Sequence, residues 1–309
     1  MLTQSRYLGV DVSKDTLMVA FERNRRQLPN SKEGHRKLIT QIKKLPGPVH
    51  VVCEATGPYH LCMCLALQDA AIAVTVSNPA RIRFFGRSEG ILAKNDPIDA
   101  ELIERFANAK RPPADPPLCR EHIALSEMVT HRRQVVEMLK VFRTHRQQVH
   151  DGALAAEINK SIALFEKRLS ELDRLLRQKI NANCAWKQKF DLLTTAKGVG
   201  FVTAVVLLVK MPELGSLNRG QCAALAGLAP YDDDSGKHHG KRSIKGGRAE
   251  VRAALYMAAL TAARCNPILK EVYQRLLSQK KPFKVVITAV MRKLLIYLNA
   301  LLKPATVQT

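Results

Sequence analysis

The chain has 309 residues, 46% of them hydrophobic, and carries 49 Lys and Arg against 27 Asp and Glu, a formal net charge of +22. That length supports more than one hydrophobic core, and a charge this large favours a polyanionic partner, because neutralised phosphates release counterions. The longest apolar run, FVTAVVLLV at 201–209, is about half of a bilayer span, MLTQSRYLGV lacks a secretory apolar stretch, and the seven cysteines form no C-x-x-C pair, so no membrane, zinc-ribbon or disulfide framework is expected and a soluble cytoplasmic protein with reduced thiols is.

YLGVDV (7–12) and TLMVAFE (16–22) read as two strands of a hairpin, each rich in β-branched residues and separated by a short polar turn. SKEGHRKLITQIKKL (31–45) carries Leu38, Ile42 and Leu45 at helical spacing. VHVVCEA (49–55) is nearly continuous in apolar residues, as a buried central strand requires. A helix over 59–70, a strand over 72–77 and a helix over 96–109 follow, so the first 113 residues read as an α/β domain with a mixed sheet. KRPPADPP (110–117) reads as a linker.

Beyond it the periodicity changes to heptads. Met128, Val135, Phe142 and Val149 recur every seven residues, and Ile158, Ile162, Phe165, Leu169, Leu172, Leu176 and Ile180 form a second stripe. The break at HDGA (150–153) makes residues 114–185 a coiled-coil hairpin, with Arg132 and Arg146 interrupting its core positions. Residues 186–309 read as a third, mostly helical domain. There LLTTAKGVGFVTAVVLLVKM (192–211) has the form of two helices joined by a glycine turn, a helix-hairpin-helix-like element. In such an element the amides of Gly198 and Gly200 face a phosphate; two helices packed without a ligand give the same pattern. Charge rises toward this end: residues 1–113 hold 17 basic and 11 acidic side chains, 114–185 hold 12 and 9, and 186–309 hold 20 and 7.

Four acids of the α/β domain invite chemistry. Asp11 lies inside an apolar strand, Glu54 ends another, and Asp96 and Asp99 open a helix at a spacing that puts both on one face. Capping accounts for the last two: Asp96 before Pro97 reads as an N-cap, and Asp99 complements the helix dipole. It does not account for Asp11 and Glu54, because an acid on a buried strand must be paired, protonated or metal-bound. Together the four make a metal site the expectation: oxygen ligands suit magnesium, and two such ions stabilise the attacking and leaving oxygens of a phosphodiester transfer.

YDDDSGKHHGKRSIKGGRAEVR (231–252) is the second candidate. Ser235 precedes Lys237, Lys241, Arg242, Lys245, Arg248 and Arg252, cations suited to phosphate, and a serine nucleophile needs such charge near the phosphorus. Ser243 is a rival nucleophile on the same grounds, and a phosphate-contact loop without chemistry fits the composition equally. The acidic triplet Asp232, Asp233 and Asp234 beside a DNA-attacking serine is unusual. His238 and His239 lack the neighbouring ligands zinc requires.

These blocks occur in a family order. LGVDVSK, CEATGPYH and AKNDPIDAELIERFA resemble the three carboxylate blocks of the DEDD insertion-sequence transposases, which include the Piv-type DNA invertases. LTTAKGVGFVTA, LAGLAP and the serine-glycine block with KGGRAEVRAAL resemble the second half of that family, and the likeness spans about residues 7–265. The resemblance implies an RNase H-like, RuvC-like N-terminal domain and a magnesium set of Asp11, Glu54, Asp96 and Asp99. It also implies Ser235 as the nucleophile of a phosphoserine–DNA intermediate. DNA is the implied substrate, a noncoding bridge RNA the implied guide, and a homodimer or tetramer the implied assembly. Asn95 stands where the family commonly has threonine. A hydrolytic junction nuclease and a non-catalytic nucleic-acid scaffold are the alternative functions.

Overall fold

A computed structural model describes residues 6–22, 24–91, 95–232, 234–235, 238–240 and 242–303, with the backbone alone at Ser235, His238 and His239. It divides into two compact units, Met1–Cys119 and Arg120–Thr309.

In the first unit β1 (Arg6–Val12), β2 (Thr16–Phe21) and β3 (Asn24–Pro29) form an antiparallel meander. After α1 (Lys32–Lys43), β4 (Val49–Glu54) pairs parallel to β1, and after α2 (Leu61–Asp69), β5 (Ala73–Ser77) pairs parallel to β4. The sheet order is β3-β2-β1-β4-β5, the mixed α/β sheet anticipated from the sequence. α3 (Pro79–Ser88) and α4 (Asp96–Lys110) complete the unit. β3 is absent from the sequence reading because NRRQLP has no apolar alternation; five of its six residues are exposed. Arginines on an outer strand also discourage pairing with other chains. α3 escaped for a similar reason: of PARIRFFGRS only Ile82 and Gly86 are buried.

Alternation along the strands assigns each side of the sheet. Leu8, Val10, Val12, Val51 and Cys53 face Leu38, Met63 and Leu67 of the first two helices. On the opposite face Val52 packs with Ile82, Leu102, Ile103 and Phe106 of α3 and α4. Gly9 lies on this second face, and a Cβ there would collide with the carbonyl oxygen of Ala100 and the amide nitrogen of Glu104. The backbone of α4 therefore rests directly on β1.

The proline-rich segment read as a linker is tied down along β5. The Asp115 amide donates to the Val74 carbonyl at 2.9 Å, the Val76 amide donates to Asp115 Oδ2 at 2.7 Å, and the Thr75 hydroxyl donates to the Pro113 carbonyl at 2.7 Å. Its prolines cannot extend the sheet, but the intervening Asp115 satisfies the outer edge of β5.

The second unit begins with α5 (Arg120–Gln148) and α6 (Gly152–Ala182), the helical hairpin expected from the heptads. Asp151 caps α6 by accepting from the Leu154 amide at 2.7 Å, and Phe142 meets Phe165 at 5.3 Å between ring centroids. Arg132 fits the seam because it grips Asp173 through two hydrogen bonds, at 2.5 and 3.1 Å. Next come α7 (Cys184–Thr195) and α8 (Phe201–Lys210). Leu125, Val129, Leu176 and Ile180 at the base of the hairpin share one core with Val205, Leu208 and Val209 of α8.

α9 (Arg219–Leu225) leads into four two-residue strands: β6 (Pro230–Tyr231), β7 (Asp234–Ser235), β8 (His238–His239) and β9 (Ser243–Ile244). α10 (Ala249–Cys265), α11 (Pro267–Ser278) and α12 (Phe283–Leu301) follow, and the main core of this unit is built chiefly from α10 and α12. Among the described residues no helix is long and apolar enough to cross a membrane.

Because α4 backbone, not a side chain, fills the space over Gly9, Gly9→Ala has no soft neighbour to displace. It is expected to destabilise the protein by about 2 kcal/mol, as overpacked interiors do, measured by denaturant unfolding. Gly47→Ala, at a left-handed turn with open space around it, should cost about 1 kcal/mol or less.

Candidate active site

The first turn of α4 decides between capping and chemistry for its acids. Asn95 is the N-cap: its Oδ1 accepts from the Ile98 amide at 3.0 Å. The expectation that Asp96 caps the helix is therefore corrected. Asp96 is the first helical residue, followed by Pro97, and Asp99 lies one turn on. Asn95, noted only as a departure from the family pattern, performs the capping and removes that explanation for Asp96.

The strands bring the other two acids alongside. Val10 pairs with Cys53 in the parallel register, so Asp11 and Glu54 stand one step further, side by side at the carboxyl ends of β1 and β4. Asp11 projects on the same face as Gly9, two residues away, and α4 contacts Gly9 through Ala100. The preceding turn of α4, with Asp96 and Asp99, is thus directed toward Asp11. Electrostatics registers the proximity. The Asp11 carboxyl is pushed up to about 6, first by burial and then by the negative charges of Asp99, Asp96 and Glu54. The Val12 amide acts in the opposite sense by hydrogen bonding.

The donor set is chemically suited to a divalent cation: four oxygen ligands that repel one another, on strand ends and a helix start. As they stand, no three His, Cys, Asp or Glu side chains among the described residues are drawn tightly enough to chelate one ion. The acids are neighbours in charge without being a closed ligand shell. One more polar group joins the row: Ser77, paired with Glu54 across β4 and β5. Ser77 falls at the end of the strand expected over 72–77, but a lone serine there carries no mark in the sequence of the carboxylate it neighbours.

In the second unit the serine block is a narrow two-tier hairpin. Tyr231 pairs with Ser243 at its base, and Ser235 pairs with His238 toward its tip. Its expected phosphate-binding cations are divided among several duties. Arg248 donates to both carboxylate oxygens of Glu213, at 2.6 and 2.7 Å, and to the Lys210 carbonyl at 2.9 Å. That guanidinium holds Glu213 below the usual carboxylate range. Arg252 donates to the Gly246 carbonyl at 2.7 Å, and Arg242 pairs with Asp232 at 2.5 Å. Lys245 is exposed. Lys237, Lys241 and Asp233 lie outside the described residues. Arg248 and Arg252, expected at phosphate, thus brace the turn that carries the hairpin.

The glycine turn is likewise partly structural. Gly198 has a φ of +99°, and an added Cβ would lie 2.6 to 2.7 Å from Ala262 of α10. Its bare Cα is needed for helix packing. Gly200, the N-cap of α8, has open space where a Cβ would be.

A sheet with acids at its parallel strand ends, followed by a basic helical unit, suits an enzyme that processes nucleic acid. Sequence models of transposases match the chain twice: a DEDD transposase model over residues 8–151, and the "Transposase IS116/IS110/IS902 family" model over residues 190–274. The chain belongs to the IS110 family of transposases, DNA recombinases that cleave and rejoin DNA. It is 29% identical to the pilin gene-inverting protein of Moraxella bovis over 300 residues, covering 94% of this chain and 93% of that one. The Moraxella lacunata pilin gene-inverting protein is similar to the same extent. An IS110 insertion-element protein of 43.6 kDa from Streptomyces coelicolor is 29% identical over 148 residues, 47% of this chain and 36% of that protein.

The position of Asp11 has a measurable signature. With the folded carboxyl at about 6 and the usual value at 3.8, the unfolded state ionises first as pH rises. The resulting penalty on the native state is absent below pH 4, builds between 4 and 6, and is complete above. Asp11→Asn should therefore stabilise the chelator-treated protein at pH 8 by about 1 kcal/mol, after allowance for solvent screening, and the gain should vanish at pH 4. Thermal unfolding across that range reads both.

Proposed function

We propose that the chain is the transposase and site-specific recombinase of an insertion sequence, using a Mg2+-bound set of Asp11, Glu54, Asp96 and Asp99 and the Ser235 hydroxyl as nucleophile. A noncoding bridge RNA is the proposed guide, and a homodimer or tetramer the proposed working form. The observation that carries this reading is the placement of the α4 turn against Gly9 and Asp11, beside Glu54 on the adjoining strand. The pilin gene-inverting relatives support DNA rejoining rather than hydrolysis alone.

The chemistry assigned to the residues is a phosphoryl transfer. The Ser235 oxygen forms a bond to phosphorus as the bond from phosphorus to a deoxyribose oxygen breaks, and the serine proton passes to solvent while the leaving oxygen takes one up. A second transfer returns the phosphoryl group to a deoxyribose hydroxyl and frees the serine. Divalent cations, when bound, offset the charge on the phosphoryl oxygens. The carboxylates hold and orient those cations, and Asp11 must give up its proton to do so. Ser235 is preferred over Ser243 because it sits toward the tip of the serine hairpin, whereas Ser243 is at the base, beside the turn braced by Arg248 and Arg252.

A guide that recognises DNA by base pairing leaves the protein to read backbone and shape. With only 5% aromatic residues, this chain has little surface for stacking bases. A second copy fits the hairpin of α5 and α6, where Met138, Val141 and Leu164 remain exposed.

The test is a trapped protein–DNA adduct formed with the element's DNA and the RNA that co-purifies with the protein. Ser235→Ala should form none, Ser243→Ala should retain it, and Asp11→Asn should lower strand cleavage on the order of 10³-fold. An adduct in the Ser235→Ala protein overturns the nucleophile, and free 5′-phosphate ends with no adduct in the unaltered protein would indicate hydrolysis.

A further inference from the structure

Ser77 stands out among the polar side chains of the sheet. It is only 4% exposed, and its Oγ has no hydrogen-bond partner among the described residues. Its neighbours are satisfied: Thr75, two residues earlier on the same strand, donates to the Pro113 carbonyl at 2.7 Å and meets His50 Nε2 at 2.8 Å. Buried hydroxyls are almost always bonded, so an orphan calls for a specific partner.

Local duties do not supply one. The Ser77 carbonyl accepts from the Ala55 amide at 3.0 Å, and the next residue, Asn78, caps α3 by accepting from the Ala80 amide at 2.8 Å. The backbone is therefore fixed and the capping role taken. What remains is the row across the sheet. Glu54 pairs with Ser77, and Asp11 stands on the other side of Glu54, one step beyond the Val10–Cys53 pair. In a parallel ladder, residues paired in this way project on one face. The hydroxyl is thus adjacent to the carboxylate row, at the carboxyl ends of three consecutive parallel strands.

We propose that Ser77 is a positioning residue for Glu54, donating its hydroxyl hydrogen to the Glu54 carboxylate in the conformation that binds the divalent cation. The inference rests on the carboxylate reading above. Hydrogen-bonded partners of ligating carboxylates fix which oxygen faces the ion, and their loss weakens metal affinity about 10- to 100-fold. The bare hydroxyl is tolerated in the fold for the sake of that second conformation, an arrangement in which function and stability oppose each other.

The experiment uses the full chain and Mn2+ as the probe, with two readouts independent of DNA cleavage: unfolding temperature in chelator, and Mn2+ binding by calorimetric titration. Ser77→Ala should unfold in chelator at the same or a higher temperature than the unaltered protein, since a buried unpaired hydroxyl is removed. It should nevertheless bind Mn2+ about tenfold more weakly. Unchanged Mn2+ affinity in Ser77→Ala, alongside weakened binding in Glu54→Gln, overturns the role of Ser77 and leaves the carboxylate site standing. Unchanged affinity in Glu54→Gln and Asp11→Asn as well overturns both. A lower unfolding temperature for Ser77→Ala in chelator would assign the serine to packing and overturn the inference.

Discussion

The contact of helix backbone with strand backbone at Gly9 is the constraint on which the N-terminal unit depends. With no Cβ at Gly9, the Ala100 and Glu104 backbone of α4 lies directly on β1. Any side chain there would lift the helix by about the radius of a methyl group, and the turn bearing Asp96 and Asp99 would lift with it. Leu102 and Ile103 within that contact, and Phe106 just beyond it, pack with Ile82 and Val52, so apolar burial holds the same stretch of α4 on the sheet. The acids at its start are positioned by apolar packing and one missing methyl, without requiring attraction between them.

That separation of duties explains how mutually repelling groups persist. Asp11 is half-buried, and its proton affinity is raised by burial and by three carboxylates, an arrangement that lowers stability at neutral pH. The surrounding core, with Leu8, Val10, Val12 and Val51 almost wholly buried, offsets the penalty. Sites for cations and phosphoryl groups characteristically carry such strain. Asn95 contributes by taking the N-cap of α4, which leaves the carboxylate of Asp96 outside the capping scheme.

The second unit uses charge in two ways. Much of its excess positive charge is on the surface, where it suits a phosphate backbone. Some is internal: Arg248 with Glu213, Arg252 with the Gly246 carbonyl, and Arg132 with Asp173 fix the turn and the hairpin seam. A planar guanidinium forks onto a carboxylate or carbonyl more rigidly than an ammonium could, which suits arginine to these bracing positions. The serine hairpin between β6 and β9 therefore rises from a stiffened base.

Sequence periodicity alone determined the elements with strong apolar patterns: β1, β2, β4, the α5–α6 hairpin and the paired helices around Gly198. It could do so because alternation and heptads report directly which faces are buried. It missed β3 and α3, whose residues are mostly exposed, and it read residues 110–117 as a linker because composition does not reveal the bonds of Asp115 to β5. Asp11 and Glu54 were visible as chemically awkward acids and Asp96 and Asp99 as a pair on one helix face, but which residue caps α4 and which groups join the row were not. Those depend on strand register and on how closely a helix can approach a glycine, relations between residues far apart in the chain. Arg248 and Ser77 illustrate the limit from opposite sides, since a sequence shows that a cation or a hydroxyl is present and only the tertiary packing determines whether it already has a partner.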